Sequence, residues 1–336
     1  MTDGMPDCIV IAGASGFIGR YVTEALTADG AVVTTIGRHG SDAEWGHPAA
    51  ITALLDGADL LINLAGKSVN CRYGRENRAE IMRSRIETTR ELSDAIAACA
   101  KPPRLWINSS TATIYRHAED RPMTESTGEL GTGFSAGIAT AWEKELFAAD
   151  LQGTRRVALR MAIVLGDGSA LLPLIRLARF GLGGPQLDGR WFRTKARVAA
   201  GTFHEFRARR GRQKFSWIHI SDVLGIINFL RERADLDGVI NASAPRPTDN
   251  ASMMRTLRKV LGVPFGIPAP RFVLEIGSAV IRTETELVLK SRWVEPERLL
   301  AAGYEFDYPD LEPALRQIID QRGSGRRAPS VVHGGV

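Results

Sequence analysis

The segment DCIVIAGASGFIGRYVTEALTADG, Asp7 to Gly30, constrains this chain more than any other. A short apolar run ends at Ala12, glycines follow at 13, 16 and 19, and Ile18, Val22 and Leu26 then recur on one helical face. This pattern is a buried strand, a glycine turn and a helix. The first glycine permits the tight turn, the second lets backbone approach a pyrophosphate, and the third lets helix and strand pack closely. The free N–H groups of the first helical turn then face the phosphates. Gly13, Ser15, Gly16, Phe17, Ile18 and Gly19 are therefore candidate cofactor residues. A purely structural turn is the competing explanation.

Further strands and helices alternate behind this unit. AVVTTIGR, DLLINLAG, RLWINSS and RRVALRMAIVLG read as strands, with the helix RAEIMRSRIETTRELSDAIAACA between the second and third. Such alternation implies a parallel sheet covered on both faces. After Gly166 the pattern changes to a helix, a glycine-rich loop and a basic stretch. FSWIHISDVLGIINFLRERA is a strand turning into a helix, with Ser221 or Asp222 expected as its cap. GVINAS is one more strand, followed by the helix DNASMMRTLRKVLG and a longer one, PRFVLEIGSAVIRTETELVLKS. The expected fold class is α/β: a doubly wound Rossmann sheet with a smaller C-terminal mixed α/β lobe. The NADP-binding domain would span 6–167 and 215–244. The second lobe would span 168–214 and 245–320, with a basic insertion at about 191–212 and a disordered tail at 321–336.

The end of the second strand selects the cofactor. NAD sites place an acid there for the ribose hydroxyls. Here the strand ends TIGRHG without an acid, and Arg38 offers a guanidinium fork suited to a 2′-phosphate. The expected cofactor is NADP(H), although a solvated loop arginine is the alternative.

Hydrophobic residues make up 44% and charged residues 24% of the 336, an ordinary balance for a soluble globular chain. No apolar run reaches membrane-spanning length and no basic segment leads into a signal-peptide core, so a cytoplasmic protein without membrane association is expected. Cys8, Cys71 and Cys99 lie far apart with no CxxC spacing, which argues against a disulfide framework or a metal site. The net charge of +5 is uneven: nine basic residues fall between Arg190 and Lys214 against one acid, Glu205. Alternating apolar and basic residues in FHEFRARR suggest a hairpin strand there. Its cations favour a phosphorylated or carboxylated small-molecule substrate. Nucleic acid is the weaker option, because two aromatic positions do not make a stacking platform. A solvated hairpin or a subunit contact in a homodimer stays open.

GASGFIG, LINLAG, SSTATIY and WIHISDV, in this order, resemble the extended short-chain dehydrogenase/reductases, the NAD-dependent epimerase/dehydratase group. The series NLAG, SRIETTREL, WEKEL, GLGGP, FSWIHISDV, NASAPRPTDN and LVLKSRWVEPERLLAAGYEFDYPDLEPAL is similar to an atypical subgroup labelled SulA-like, which carries a C-terminal domain of unassigned function. The likeness covers residues 8 to about 318.

The resemblance implies that Gly37 and Arg38 hold the adenosine ribose phosphate, and that Leu64, Ala65 and Gly66 line the dinucleotide. Arg85 replaces an asparagine of ordinary members, Glu80 lies about one helical turn earlier, and both would approach the cofactor. A surface ion pair is the alternative for these two. Ser109 is counted with the cofactor residues, and Ile163 and Val164 would sit by the nicotinamide. The family's catalytic Ser or Thr falls on Thr111.

Reduction of a carbonyl also needs a proton donor. In this superfamily a tyrosine serves, with a lysine four residues later on the same helix face. Those slots fall on Ser135 and Ala139, and neither residue can do the work; Thr140 with Lys144 provides only an aliphatic hydroxyl. Tyr115 and Lys67 are the substitutes in view, whereas His219 reads as structural and Asp222 as a helix cap. Two functions follow: an NADP(H)-dependent oxidoreductase or epimerase with a non-standard acid, or a non-catalytic protein that binds and reports NADP(H).

Overall fold

Ile9, Val10, Ile11 and Ala12 are all buried, because the strand they form has a parallel neighbour on each side and helices over both faces. The structure is a computed structural model and describes residues 6–168, 171–280 and 284–323. The first half runs β1 (Cys8–Ala12), α1 (Phe17–Ala28), β2 (Val32–Gly37), β3 (Ala43–Glu44), α2 (Pro48–Leu55), β4 (Leu60–Asn63), α3 (Arg75–Ala97), β5 (Leu105–Thr111) and α4 (Phe134–Leu146). Next come β6 (Arg155–Met161), β7 (Ile163–Leu165), α5 (Leu171–Arg179), α6 (Lys195–Ala199), β8 (Lys214–Phe215), β9 (Trp217–His219), α7 (Ile220–Glu232) and β10 (Gly238–Ala242). The chain ends with β11 (Thr248–Asp249), α8 (Asn250–Leu261), α9 (Arg271–Val280), α10 (Glu286–Leu289), α11 (Glu297–Ala301) and α12 (Leu311–Gly323).

Seven strands form one parallel sheet in the order β10-β6-β5-β4-β1-β2-β3. Side chains alternate across it. Ile9 and Ile11 join Val22 and Leu26 of α1 and Val223, Ile227 and Leu230 of α7 on one face. Val10 and Ala12 join Ile51 and Leu55 of α2, Leu92 and Ile96 of α3, and Leu146 of α4 on the other. The sheet is therefore doubly wound, as the alternation of apolar segments leads one to expect. A second core, built from Leu171 and Ile175 of α5, Met253 and Leu257 of α8, and Leu315 and Ile318 of α12, belongs to the smaller part.

The structure corrects several expectations. RRVALRMAIVLG is two strands, not one: β6 lies in the large sheet, whereas β7 pairs with β9 in a separate two-stranded sheet. FHEFRARR contains no strand. Its backbone has no ladder partner and is pinned by side chains instead, with His204 buried against Asp188 and Phe206 stacked on His117 at 4.4 Å between ring centroids. The long C-terminal helix is broken into α9 and α10, and Glu284 between them uses its carboxylate to accept from Tyr73 N at 2.9 Å. The cap of α7 is His219, whose Nδ1 accepts from Ser221 N at 3.2 Å, rather than Ser221 or Asp222. Asp222 instead accepts from Asp307 N and Tyr308 N. Residues 321–323 of the expected tail belong to α12, and 324–336 lie outside the described residues.

Candidate functional site

The β1–α1 turn is shaped by space. Gly13 has φ +84°, and a Cβ there would meet Leu64 C and Ala65 N at 2.8 Å. A Cβ on Gly19 would lie 2.3 Å from Gly13 O. Gly16 caps α1 and no side chain closes that helix end. The Phe17 ring covers the turn after β7, because a Cβ on Gly166 or Gly168 would touch it at 2.8 or 2.6 Å. Gly37 packs on Ser41, and Arg38 stands exposed at the end of β2. The nearby acid Asp42 is already engaged by Thr35, from N at 2.7 Å and Oγ1 at 2.8 Å.

The ends of β4 and β5 open into a cavity of about 170 Å³ whose wall includes Gly66, Tyr73, Arg85, Thr111, Ser135 and Trp142. A buried polar spine holds its floor. Asn63 Oδ1 accepts from Ala65 N at 3.0 Å, and Asn63 Nδ2 donates to Asn108 Oδ1 at 2.7 Å. Trp142 Nε1 donates to Thr89 Oγ1 at 2.9 Å. Arg85 lies 4.9 Å from the Trp142 ring and donates to the carbonyls of Lys67 and Ile81, each at 3.1 Å. Burial brings its guanidinium down to about 10. Thr111 Oγ1 accepts from Thr113 N at 3.1 Å, which leaves its hydroxyl proton for another acceptor.

Across the cavity, Ser135 Oγ donates to Glu286 Oε2 at 3.0 Å. Tyr73 lines the same cavity as Ser135, and burial together with the Glu286 carboxylate raises its phenol pKa above the usual tyrosine value. A serine hydroxyl has one proton. With that proton committed to Glu286, the Ser135 oxygen keeps its lone pairs open to a donor, and Tyr73 is the phenol that lines the cavity with it.

A second polar cluster fastens the basic insertion. Asp188 accepts from Arg271 NH1 at 2.7 Å and is 2.9 Å from His204 Nε2. Arg271 Nε reaches Glu275 at 2.8 Å, Glu275 pairs with Arg197 at 3.1 Å, and Arg197 lies 3.6 Å from Glu284. The neutral imidazole of His219, between Ser221 and Gln317, is pushed down to about 4 by burial.

A family model described as "NAD dependent epimerase/dehydratase family" matches residues 9–243, more than half of the chain. The chain belongs to that family. A model described as "Domain of unknown function (DUF1731)" matches residues 269–318. The chain is similar to the epimerase family protein YfhF of Bacillus subtilis, 30% identical over 94% of this chain and 98% of the relative. It is similar also to the epimerase family protein SDR39U1 of Bos taurus, 33% identical over 93% of this chain and 99% of the relative. Among solved structures, the human epimerase family protein SDR39U1 (isoform2) with NADPH superposes with a TM-score of 0.78 at 29% identity, covering 93% of this chain and 99% of that one.

Within this epimerase-family chain the expected site residues separate into groups. Leu64, Ala65, Gly66, Arg85, Ser109 and Thr111 meet at the one cavity. Glu80 does not: it is half-buried and ion-paired with Arg83, whose guanidinium lowers its pKa. Val164 sits in β7 against the sheet core. Tyr115 is the clearest correction. Its ring is buried and does not line the cavity, and its hydroxyl donates to Asn241 Oδ1 and accepts from Arg160 NH1, both at 2.8 Å. Arg160 is itself paired with Glu143 at 2.6 Å, so Tyr115 is a member of a closed network. Lys67 Nζ donates to Asn77 Oδ1 at 2.8 Å. None of the insertion's cations lines the cavity. Among the described residues no group of three metal-ligating side chains is found, and no helix is long and apolar enough to cross a membrane. Tyr73, missed in the sequence, comes from a loop with no motif and no periodicity, so nothing in SVNCRYGRE marks it.

Proposed function

We propose that this chain is an NADP(H)-dependent oxidoreductase of the epimerase family that acts on a small molecule and uses Tyr73 as its proton donor. The observation that carries the reading is the position of Tyr73: it shares one cavity with Thr111, Gly66, Arg85 and Ser135, the last being the side chain that stands in the family's tyrosine slot. The residues fit the cofactor. Gly13 and Gly19 keep the β1–α1 turn tighter than any Cβ would allow, the α1 N-terminus is uncapped, and Arg38 stands exposed where a 2′-phosphate needs a cation. The related human protein solved with NADPH agrees with that choice.

When bound, the cofactor supplies or accepts a hydride. Thr111 holds the substrate oxygen by its free hydroxyl proton. Tyr73 delivers the proton to that oxygen, and its raised pKa keeps it protonated at neutral pH. The proton is replaced from solvent through Ser135 and Glu286. The missing tyrosine of α4 is thus made good from the opposite wall, and the missing lysine by a carboxylate-terminated relay. A non-catalytic NADP(H)-binding protein is the other reading, favoured by Ser135 and Ala139 in the slots of the usual pair.

Three measurements test this. Fluorescence titration should show NADPH binding more tightly than NADH, and Arg38→Ala should weaken NADPH by about 1.5–3 kcal/mol, as for a hydrogen bond to a charged group. Equal affinities would remove the cofactor assignment. NADPH oxidation should be screened against a carbonyl panel, and Tyr73→Phe should then lower turnover by about 10²–10⁴-fold with NADPH affinity kept. A fully active Tyr73→Phe enzyme excludes the phenol as donor, and a panel without any turnover favours the binding protein.

A further inference from the structure

One cation lines the cavity and two more stand behind its wall, and none of the three has a carboxylate partner at ion-pair distance among the described residues. Lys290 is 4% exposed and Arg292 6% exposed. Lys290 Nζ donates to the carbonyl of Thr113 at 2.8 Å. Arg292 Nε donates to Thr113 Oγ1 at 3.2 Å, and its NH1 donates to Leu287 O at 3.0 Å. Thr113 and Leu287 both line the cavity, so these two cations stand directly behind its wall. Arg85 lines it from the other side, bonded only to carbonyls. Tyr73 lies within electrostatic reach of both Arg85 and Arg292, which joins the two sides.

One acid, Glu286, is near enough to favour the charged forms of Lys290 and Arg292, and its carboxylate already accepts from Ser135. The buried Lys290 and Arg292 and the half-buried Arg85 face Glu286, while the other nearby acid, Glu284, is already shared by Arg72 and Arg197, so positive charge is in excess in a place of low dielectric. Such a charge is costly unless something pairs it. Burial holds the Lys290 ammonium at about 8, so part of that cost is already met by easy loss of a proton. Of the hydroxyls on the wall, Ser110 donates to Glu143 and Ser135 to Glu286, which leaves Ser109, Thr111 and Thr113 as donors among apolar neighbours such as Leu64, Val69 and Ile138. A guanidinium fork with hydroxyl donors around it matches a planar carboxylate.

We propose that the cavity between Arg85, Lys290 and Arg292 binds the carboxylate of a small oxo or hydroxy acid, which is the substrate class of this site. The proposal rests on reading the cavity as the substrate site, and its test separates the two. Oxalate serves as the probe, with acetamide as a neutral mimic and inorganic phosphate as a second anion. Calorimetry on the full chain should show oxalate binding, with acetamide and phosphate at least ten times weaker. At pH 8 oxalate binding should take up protons, because an anion beside Lys290 raises the ammonium's pKa. Uptake is read from the dependence of the heat on buffer ionisation.

Lys290→Met removes one cation and keeps the volume. It should weaken oxalate about ten-fold, as expected for a charge a few ångströms away at intermediate dielectric, and abolish the proton uptake. Its melting temperature without ligand should equal or exceed that of the wild type, because an unpaired buried charge has gone. Arg85→Met gives a second variant on the opposite wall. No oxalate binding by the wild type, phosphate or acetamide binding as well as oxalate, or unchanged oxalate affinity in both variants would overturn the proposal. NADPH titration of the same samples distinguishes the failures: oxalate lost with NADPH intact condemns the carboxylate pocket, and NADPH absent with oxalate intact condemns the cofactor reading.

Discussion

Two groups of buried charge lie on either side of the break between α9 and α10, and they are wired in opposite ways. On the α9 side Arg271 is held by Asp188 and Glu275, and Glu275 in turn by Arg197. Each cation there has its carboxylate within the chain. On the α10 side Lys290 and Arg292 reach only carbonyls and a hydroxyl. Both groups pay the same kind of desolvation cost, yet only the first is compensated internally. The difference gives a rule for reading such residues. A buried cation whose carboxylate is already present is scaffolding, here the means by which the insertion is seated on α9. A buried cation left with carbonyls is open to an anion from outside.

The comparison breaks most easily on its paired side. Arg271→Met leaves Asp188 and Glu275 buried without their shared partner, and stability should fall by about 3–5 kcal/mol. Urea unfolding measures it, and an unchanged midpoint would mean that the α9 network is not structural.

A smaller effect comes from His219, a buried group that avoids charge altogether. Its pKa falls from 6.5 unfolded to about 4 folded. The stability it contributes is fully present above about pH 6.5 and is lost as pH falls toward 4, a change of about 3 kcal/mol. Asp222 acts in the other direction, because burial lifts its carboxyl to about 6. Its contribution is present at low pH and is lost as pH rises through 6. The wild-type profile is therefore shallow between 4 and 6, and the informative quantity is the difference between His219→Gln and wild type. That difference should shrink steadily as the pH is lowered through this window; a constant difference would show that the imidazole titrates normally.

The smallest effect should come from Gly137. It lies on the exposed face of α4 with open space where a Cβ would go. Gly137→Ala should raise stability by roughly 0.5–1 kcal/mol in thermal melts without altering either cluster. A loss of stability would indicate that α4 is strained.

How much of this was legible in the sequence depended on whether sterics or tertiary contacts decide a position. Gly13 and Gly19 could be read because backbone atoms of neighbouring elements leave no room for a Cβ. The doubly wound sheet could be read because its strands are short, apolar and separated by helices. Tyr115 was misread because nearness along SSTATIY does not carry through the 3₁₀ turn at Ala112–Ile114, after which the ring is buried and its hydroxyl bonded to Asn241 and Arg160. FHEFRARR was misread because alternation cannot distinguish a strand from a loop pinned by His204 and Phe206. Tyr73 and Lys290 were not visible at all: one sits in an aperiodic loop, and the other becomes notable only when no carboxylate is found at ion-pair distance among the described residues.

The strand order also sets a timetable for synthesis. β6 is an inner strand of the finished sheet, but its neighbour β10 begins at Gly238, far downstream of Met161. A ribosome adding about 5–20 residues per second needs roughly 4–15 s to make that stretch. Throughout this interval the growing chain carries an open β6 edge, with unpaired N–H and C=O groups beside Val157, Leu159 and Met161. A nascent chain of this topology is most exposed to mispairing after its nucleotide-binding turn has emerged and before its last sheet strand has, and that is the interval in which a chaperone would have most to protect.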